Sequence, residues 1–168
     1  VLSEEAMRVD DELFWLATAL GRMAVAKRVM IATAESCTGG LLAGAITAVA
    51  GSSDWFERGF VTYSNASKTE QLSVSPDLIE RFGAVSEEVA QAMAEGTLRV
   101  SKAQWAIAVT GIAGPTGGTP EKPIGTVCFA WRGPGAATSE RRLIPGDRAS
   151  IRRDSVAVGL RGLIDRLA

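Results

Sequence analysis

The sequence predicts an α/β fold: a three-layer α/β/α single domain built on a mixed, mostly parallel sheet. Three observations carry this reading. Short apolar runs of β character alternate with longer stretches whose apolar residues recur at helical spacing. Polar or glycine-rich segments, 35–40, 63–68 and 110–118, directly follow three of those runs. A turn-bounded pair of runs then precedes one closing helical stretch.

Asp10 to Lys27 sets Leu13, Leu16, Ala17, Leu20, Met23 and Ala24 at helical spacing. Asp10, Asp11 and Glu12 stand at the pole of that helix that favours negative charge. Val29 to Ala34 reads as a short buried strand. Leu41 to Val49 is apolar on nearly every face, which predicts a buried helix stopped by Gly51-Ser52-Ser53. Phe60 to Tyr63 reads as the next strand. Ser75 and Pro76 make an N-cap and first-turn pair for a short helix ending at Gly83. Ser86 opens another helix, with Val89, Ala90, Met93, Ala94, Thr97 and Leu98 along its inner stripe. Trp105 to Thr110 follows as a strand, then a loop from Gly111 to Pro123 rich in Gly and Pro. Gly125 to Trp131 and Ser139 to Ile144 form an antiparallel hairpin across Gly133-Pro134-Gly135. Asp147 caps a last helix carrying Ile151, Val158, Leu163, Ile164 and Leu167. One domain is expected over residues 1–168, with 1–9 a flexible extension.

The chain has 168 residues, 46% of them hydrophobic, enough for one substantial core. Its formal net charge of −1 offers no global field for nucleic acid or an anionic membrane, and neither partner is expected. No apolar run is long enough to span a bilayer and the start has no secretory pattern, which points to a cytoplasmic protein. Cys37 and Cys128 lie far apart and there is no histidine, so no metal site and no cofactor is expected. Trp55 reads equally as an exposed residue that packs across a homodimer interface or as a core residue.

The missing histidine also bounds the chemistry. Ser36, in Thr33-Ala34-Glu35-Ser36-Cys37-Thr38-Gly39-Gly40, falls at a strand-to-helix turn where a hydroxyl is presented sharply. Neither a Ser–His–Asp nor a Cys–His arrangement can form in this chain. Lysine, tyrosine or a carboxylate must then take the proton of any nucleophile. Backbone N–H groups around Thr38, Gly39 and Gly40 sit at a helix start, suited to an oxyanion or phosphate. The plainer reading is that Ser36 or Thr38 merely caps the helix. Cys37 is the rival nucleophile, because thiolate is favoured at a helix N-terminus. Lys68, if desolvated, is a general base, and Tyr63 a proton relay or support for it. The plainer reading has Lys68 exposed on a short helix with Tyr63 packed at its base. Thr110 and Gly111 open a glycine-rich turn that lets a small-molecule substrate approach the backbone, or that only carries a wide connection. Arg148 stands at a helix start where a cation opposes the dipole, which makes it a better phosphate ligand than structural choice.

Several of these segments occur in a familiar order. Ala34-Glu35-Ser36-Cys37-Thr38-Gly39-Gly40, Gly51-Ser52-Ser53, Phe60 to Asn65, Lys68, Gly83-Ala84-Val85-Ser86, Thr110 to Pro115 and Lys122 to Val127 together closely resemble the CinA C-terminal domain family. The resemblance covers roughly residues 10 to 167. It implies hydrolysis of the carboxamide of nicotinamide mononucleotide to nicotinic acid mononucleotide and ammonia, in pyridine nucleotide salvage. It further implies a metal-free serine mechanism, with Ser36 as nucleophile, Lys68 as base and Tyr63 as its partner. Thr110 and the arginine after Gly146-Asp147 would contact substrate, with Arg148 and Arg152 both in range. Longer relatives carry an additional N-terminal domain, and the resemblance here is to the stand-alone form. Two other readings stay open: a non-catalytic nucleotide-binding module, and a serine amidase for a different nucleotide amide.

Overall fold

The computed structural model describes residues 11–168, so the expected extension over 1–9 and a helix start at Asp10 lie outside the described residues. In chain order the elements are α1 (Asp11–Lys27), β1 (Ile31–Glu35), α2 (Leu41–Thr47), β2 (Phe56–Val61), α3 (Asn65–Leu72), α4 (Pro76–Phe82), α5 (Glu87–Arg99), β3 (Trp105–Gly111), β4 (Thr126–Gly133), β5 (Ala136–Leu143) and α6 (Arg148–Leu167). The strands lie in the order β2-β1-β3-β4-β5. β1 pairs in parallel with β2 and β3, while β3–β4 and β4–β5 are antiparallel. The sheet is therefore mixed, with its parallel half around β1. Every residue of β1 is buried, as befits a strand covered on both faces.

Alternation along the strands sorts side chains by size between the two faces. Ile31, Ile107, Val109, Phe129 and Trp131 face α1, α2 and α6. Ala34, Ala106, Ala108 and Ala130 face the other way, and their small side chains let α5 bring Val89 and Met93 down onto the sheet. On the first face Trp131 donates through Nε1 to the Gly159 carbonyl at 2.9 Å, fixing α6 across β4. Both expected strands of the hairpin are present, and Asp147 caps α6 by accepting from the Ser150 N–H at 2.9 Å.

The structure departs from the sequence reading at two places. β2 begins at Phe56, not Phe60, and ends at Val61. It is an edge strand in which Glu57 and Arg58 pair with each other at 2.6 Å, so charge hides the strand pattern. A helix over 65–72 carries Lys68. Its capping box is reciprocal, with Ser67 N–H donating to Ser64 Oγ and Ser64 N–H to Ser67 Oγ. A serine replaces the usual Glu or Gln at the third position, which weakens the sequence signature. Of the two readings of Trp55 the structure bears out the core one: it is 2% exposed and packs beside Gly21, away from any interface.

One close approach holds α3 in place. A Cβ on Gly96 of α5 would lie 2.1 Å from the Leu72 carbonyl oxygen, at the end of α3. Arg99 also donates to that oxygen at 2.8 Å. In an open helix Gly→Ala would stabilise by about 1 kcal/mol. Overpacking against backbone opposes this by about 1–3 kcal/mol or more. We therefore expect Gly96→Ala to lower stability in urea unfolding; a higher midpoint would show that α3 yields freely.

Candidate active site

Ser36 follows the last residue of β1 and is 8% exposed. Its N–H donates to the Val109 carbonyl of β3 at 2.9 Å, extending the parallel ladder by one bond. The chain then turns through Gly39 and Gly40, whose φ of 58° and 99° are left-handed and suit glycine. Gly40 is the N-cap residue of α2 but supplies no side chain to cap it. Glu35 does this instead. Its fully buried carboxylate accepts from Gly40 N–H at 3.2 Å, Leu42 N–H at 2.8 Å and Ala43 N–H at 3.0 Å.

That arrangement corrects two expectations. Neither Ser36 nor Thr38 caps α2; Thr38 Oγ1 is buried with no hydrogen-bond partner among the described residues. Nor are the Gly39 and Gly40 N–H groups available to an oxyanion, since Gly39 donates to the Ser36 carbonyl at 3.1 Å and Gly40 to Glu35. Thr38, Gly39 and Gly40 do not line the cleft in which Ser36 lies. A signal for Glu35 was present: α2 has no acid in its first turn, and the nearest carboxylate lies just before the glycine turn.

Lys68 reaches Ser36 from α3. Its side chain is 1% exposed, and Nζ lies 3.0 Å from Ser36 Oγ. Nζ also donates to the Thr62 carbonyl at 2.8 Å. Burial disfavours the ammonium and pulls this lysine below its ordinary value of 10.5. Cys37 behaves in the opposite sense. Burial, with a smaller contribution from Glu35, pushes its thiol up to about 11, so it stays protonated near neutral pH. Of the two adjacent candidates, only Ser36 has a base within hydrogen-bond reach.

The cleft above this pair holds about 370 Å³, within the range of about 300–1,000 Å³ typical of small-molecule sites. All three segments that follow strands in the sequence contribute to it: Ser36 and Cys37, then Tyr63, Asn65 and Lys68, then Thr110 to Gly114 with Thr116 and Gly117. Ala84 and Val85 add one wall and Arg148 another. Its basic side chains are Lys68 and Arg148, and among the described residues no carboxylate lines it, so the Arg148 guanidinium suits the cleft to an anionic ligand.

The remaining candidates take distinct places. Arg148 donates from Nη1 to the Gly114 carbonyl at 2.7 Å and from Nη2 to Tyr63 Oη at 3.3 Å. Tyr63 is 64% exposed at the rim, and its hydroxyl partner is Arg148 rather than Lys68. Arg152 lies outside the cleft lining and donates to the Cys37 carbonyl at 3.0 Å and the Thr38 carbonyl at 3.2 Å. Thr110 is buried, and its hydroxyl donates to the Ala84 carbonyl at 2.8 Å, which ties the loop before α5 to the end of β3. A Cβ on Gly111 would fall 2.8 Å from Val127 Cγ2 and 3.0 Å from Cys37 Sγ, so this position has no room for a side chain. The Thr62 carbonyl that holds Lys68 is a backbone group with no signature in the sequence.

Among the described residues no group of three His, Cys, Asp or Glu side chains could hold a metal ion, and no helix is long and apolar enough to cross a membrane. The chain is 51% identical over 154 residues to a Pseudomonas putida protein named nicotinamide-nucleotide amidohydrolase PncC, covering 92% of this chain and 96% of that one. A protein of the same name from Escherichia coli strain K12 is 46% identical, over 92% and 94% of the two chains. A CinA-like protein of Akkermansia muciniphila is 56% identical over 80% of this chain but only 33% of its own length, so the same domain also occurs within longer proteins. The crystal structure of the competence/damage inducible protein CihA from Agrobacterium tumefaciens superposes with a TM-score of 0.89 at 43% identity, over 92% and 94% of the two chains. The CinA C-terminal domain model matches residues 14–167, and the chain belongs to that family.

Proposed function

We propose that this protein hydrolyses the carboxamide of nicotinamide mononucleotide to nicotinic acid mononucleotide and ammonia, using Ser36 as nucleophile and Lys68 as base. The observation that carries the mechanism is the buried Lys68 amine 3.0 Å from Ser36 Oγ. The substrate follows from the near full-length likeness to the Pseudomonas putida and Escherichia coli amidohydrolases. A cleft in which the Arg148 guanidinium meets no carboxylate among the described residues supports an anionic nucleotide there.

Lys68 in its neutral form keeps one N–H on the Thr62 carbonyl and offers its lone pair to the Ser36 hydroxyl. As Ser36 Oγ bonds to the amide carbon, its proton moves to Lys68 and the carbonyl oxygen becomes an oxyanion. Gly111 N–H is our candidate donor to that oxyanion. Ile112 N–H bonds to Thr126 across the β3–β4 ladder at 2.9 Å, and antiparallel pairs alternate, so the N–H of Gly111 points towards the β1 side. The C–N bond then breaks, and the Lys68 ammonium gives its proton to the departing nitrogen, releasing ammonia. Water, deprotonated by Lys68, attacks the acyl-serine and frees the carboxylate product with Ser36 restored. Arg148 is our candidate for the substrate phosphate, with Tyr63 orienting its guanidinium and Thr110 shaping the wall beside it. The reading sets this reaction in the cytoplasm, without a metal or cofactor.

Ser36→Ala is expected to lower kcat by at least about 10³-fold while binding of the nucleotide is kept, measured as ammonia release and by calorimetry. Cys37→Ala keeps activity; an active Ser36→Ala beside an inactive Cys37→Ala would reverse the assignment. Lys68→Arg keeps a long basic side chain but one that stays protonated and cannot accept the serine proton, and we expect kcat to fall by about 10²–10⁴-fold. Because the lysine is held below 10.5, the wild-type rate rises with pH as Lys68 loses its proton, along a limb centred below that value. A limb at or above 10.5 would contradict a desolvated base. Arg148→Ala raises KM for the nucleotide by about 10- to 100-fold, the loss of a charged hydrogen bond, but leaves the riboside unchanged. Chelation leaves the rate unaltered.

A further inference from the structure

We infer that Glu35 is a positioning residue for Ser36: its carboxylate ties the end of β1 to the start of α2 and so fixes the turn that presents the nucleophile. This inference rests on Ser36 being the nucleophile, as proposed above. Glu35 stands immediately before Ser36, is fully buried, and spends both oxygens on the Gly40, Leu42 and Ala43 N–H groups. The five residues 36–40 are thereby closed at their base by a side chain.

The local geometry explains why the cap comes from the strand. A helix usually takes its cap from the N-cap residue, commonly Ser, Thr, Asp or Asn. Here that residue is Gly40, whose φ of 99° disfavours all but glycine. A cap reaching over from Glu35 leaves Gly40 free for the turn and couples two rigid elements across the nucleophile. Ser36 is then held from three directions. Its N–H is on Val109, its carbonyl accepts from Gly39, and the following Cys37 and Thr38 carbonyls accept from Arg152. The 3.0 Å approach of Ser36 Oγ to Lys68 depends on that frame. A shift of about 1 Å at such a contact can cost on the order of 100-fold in rate.

Glu35→Gln puts an amide NH₂ against backbone N–H donors, so at least one of the three bonds is lost without a change in size. Two rates decide the inference, both measured at 20 °C, well below the melting of each variant. One is turnover of nicotinamide mononucleotide; the other is phosphonylation of Ser36 by a fluorophosphonate probe, followed by intact mass. We expect Glu35→Gln to lower kcat and the labelling rate at least 10-fold with KM changed less than threefold. A folded Glu35→Gln that labels and turns over at the wild-type rate would overturn the inference and leave Glu35 a structural cap alone. Ala43→Pro serves if Glu35→Gln does not fold. It removes the single bond to Glu35 Oε2 at the third residue of α2, whose N–H has no intrahelical partner to lose. A severalfold slower labelling is expected, and an unchanged rate again contradicts the role. Should the wild type label at Ser36 without hydrolysing the nucleotide, the substrate assignment fails while the labelling rates still decide the role of Glu35.

Discussion

Burial of one lysine governs the rest of this site. An ammonium removed from water costs several kcal/mol unless it is paired, and no carboxylate lines the cleft to pair with Lys68. The partners it has are the Thr62 carbonyl and the Ser36 hydroxyl, both neutral. A neutral amine satisfies that environment at far lower cost. In the proposed mechanism, desolvation does what a histidine base does in serine hydrolases, in a chain that contains no histidine.

Everything around the pair serves to keep its geometry. β1 delivers Ser36, and the parallel ladder to β3 extends one bond to hold its N–H. α3 delivers Lys68, and α5 fixes α3 through the close passage at Gly96. Two distant segments are stitched to the same wall. Lys122 donates to the Phe82 carbonyl at 2.7 Å and Thr110 to the Ala84 carbonyl at 2.8 Å, so the loop before α5 is tied to the sheet from two sides. This accounts for motifs at 83–86 and 122–127 that have no direct chemical role. The two arginines at the start of α6 divide the labour, with Arg148 facing the cleft and Arg152 holding the Cys37 and Thr38 carbonyls of the turn after Ser36.

Much of this was legible in the residues, and what was not has a physical cause. Strong apolar periodicity marked the helices at 11–27 and 87–99, and Ser75-Pro76 and Asp147 marked two helix starts. β2 was placed too late because an edge strand tolerates Glu57 and Arg58, whose charge masks the pattern. Ser36, Lys68 and Arg148, singled out by residue type and position, do meet in one cleft. The Gly39 and Gly40 N–H groups suit an oxyanion by position, yet both are taken inside the turn, since nothing in local sequence tells which acceptor a backbone N–H will meet. The Glu35 cap reaches from five to eight residues away and obeys no short-range motif, so the acid-free start of α2 is its one trace in the sequence. Tyr63 was paired with Lys68 by nearness in sequence, whereas a contact 85 residues apart gives it to Arg148.

The most direct test is the titration of Lys68 itself, followed by NMR of a lysine-labelled sample with Lys68→Arg used to assign the resonance. The account predicts that Lys68 loses its proton below 10.5, because burial favours the neutral amine. A Lys68 that titrates at or above 10.5 in the folded protein would contradict it, since an ammonium beside Ser36 cannot accept the proton.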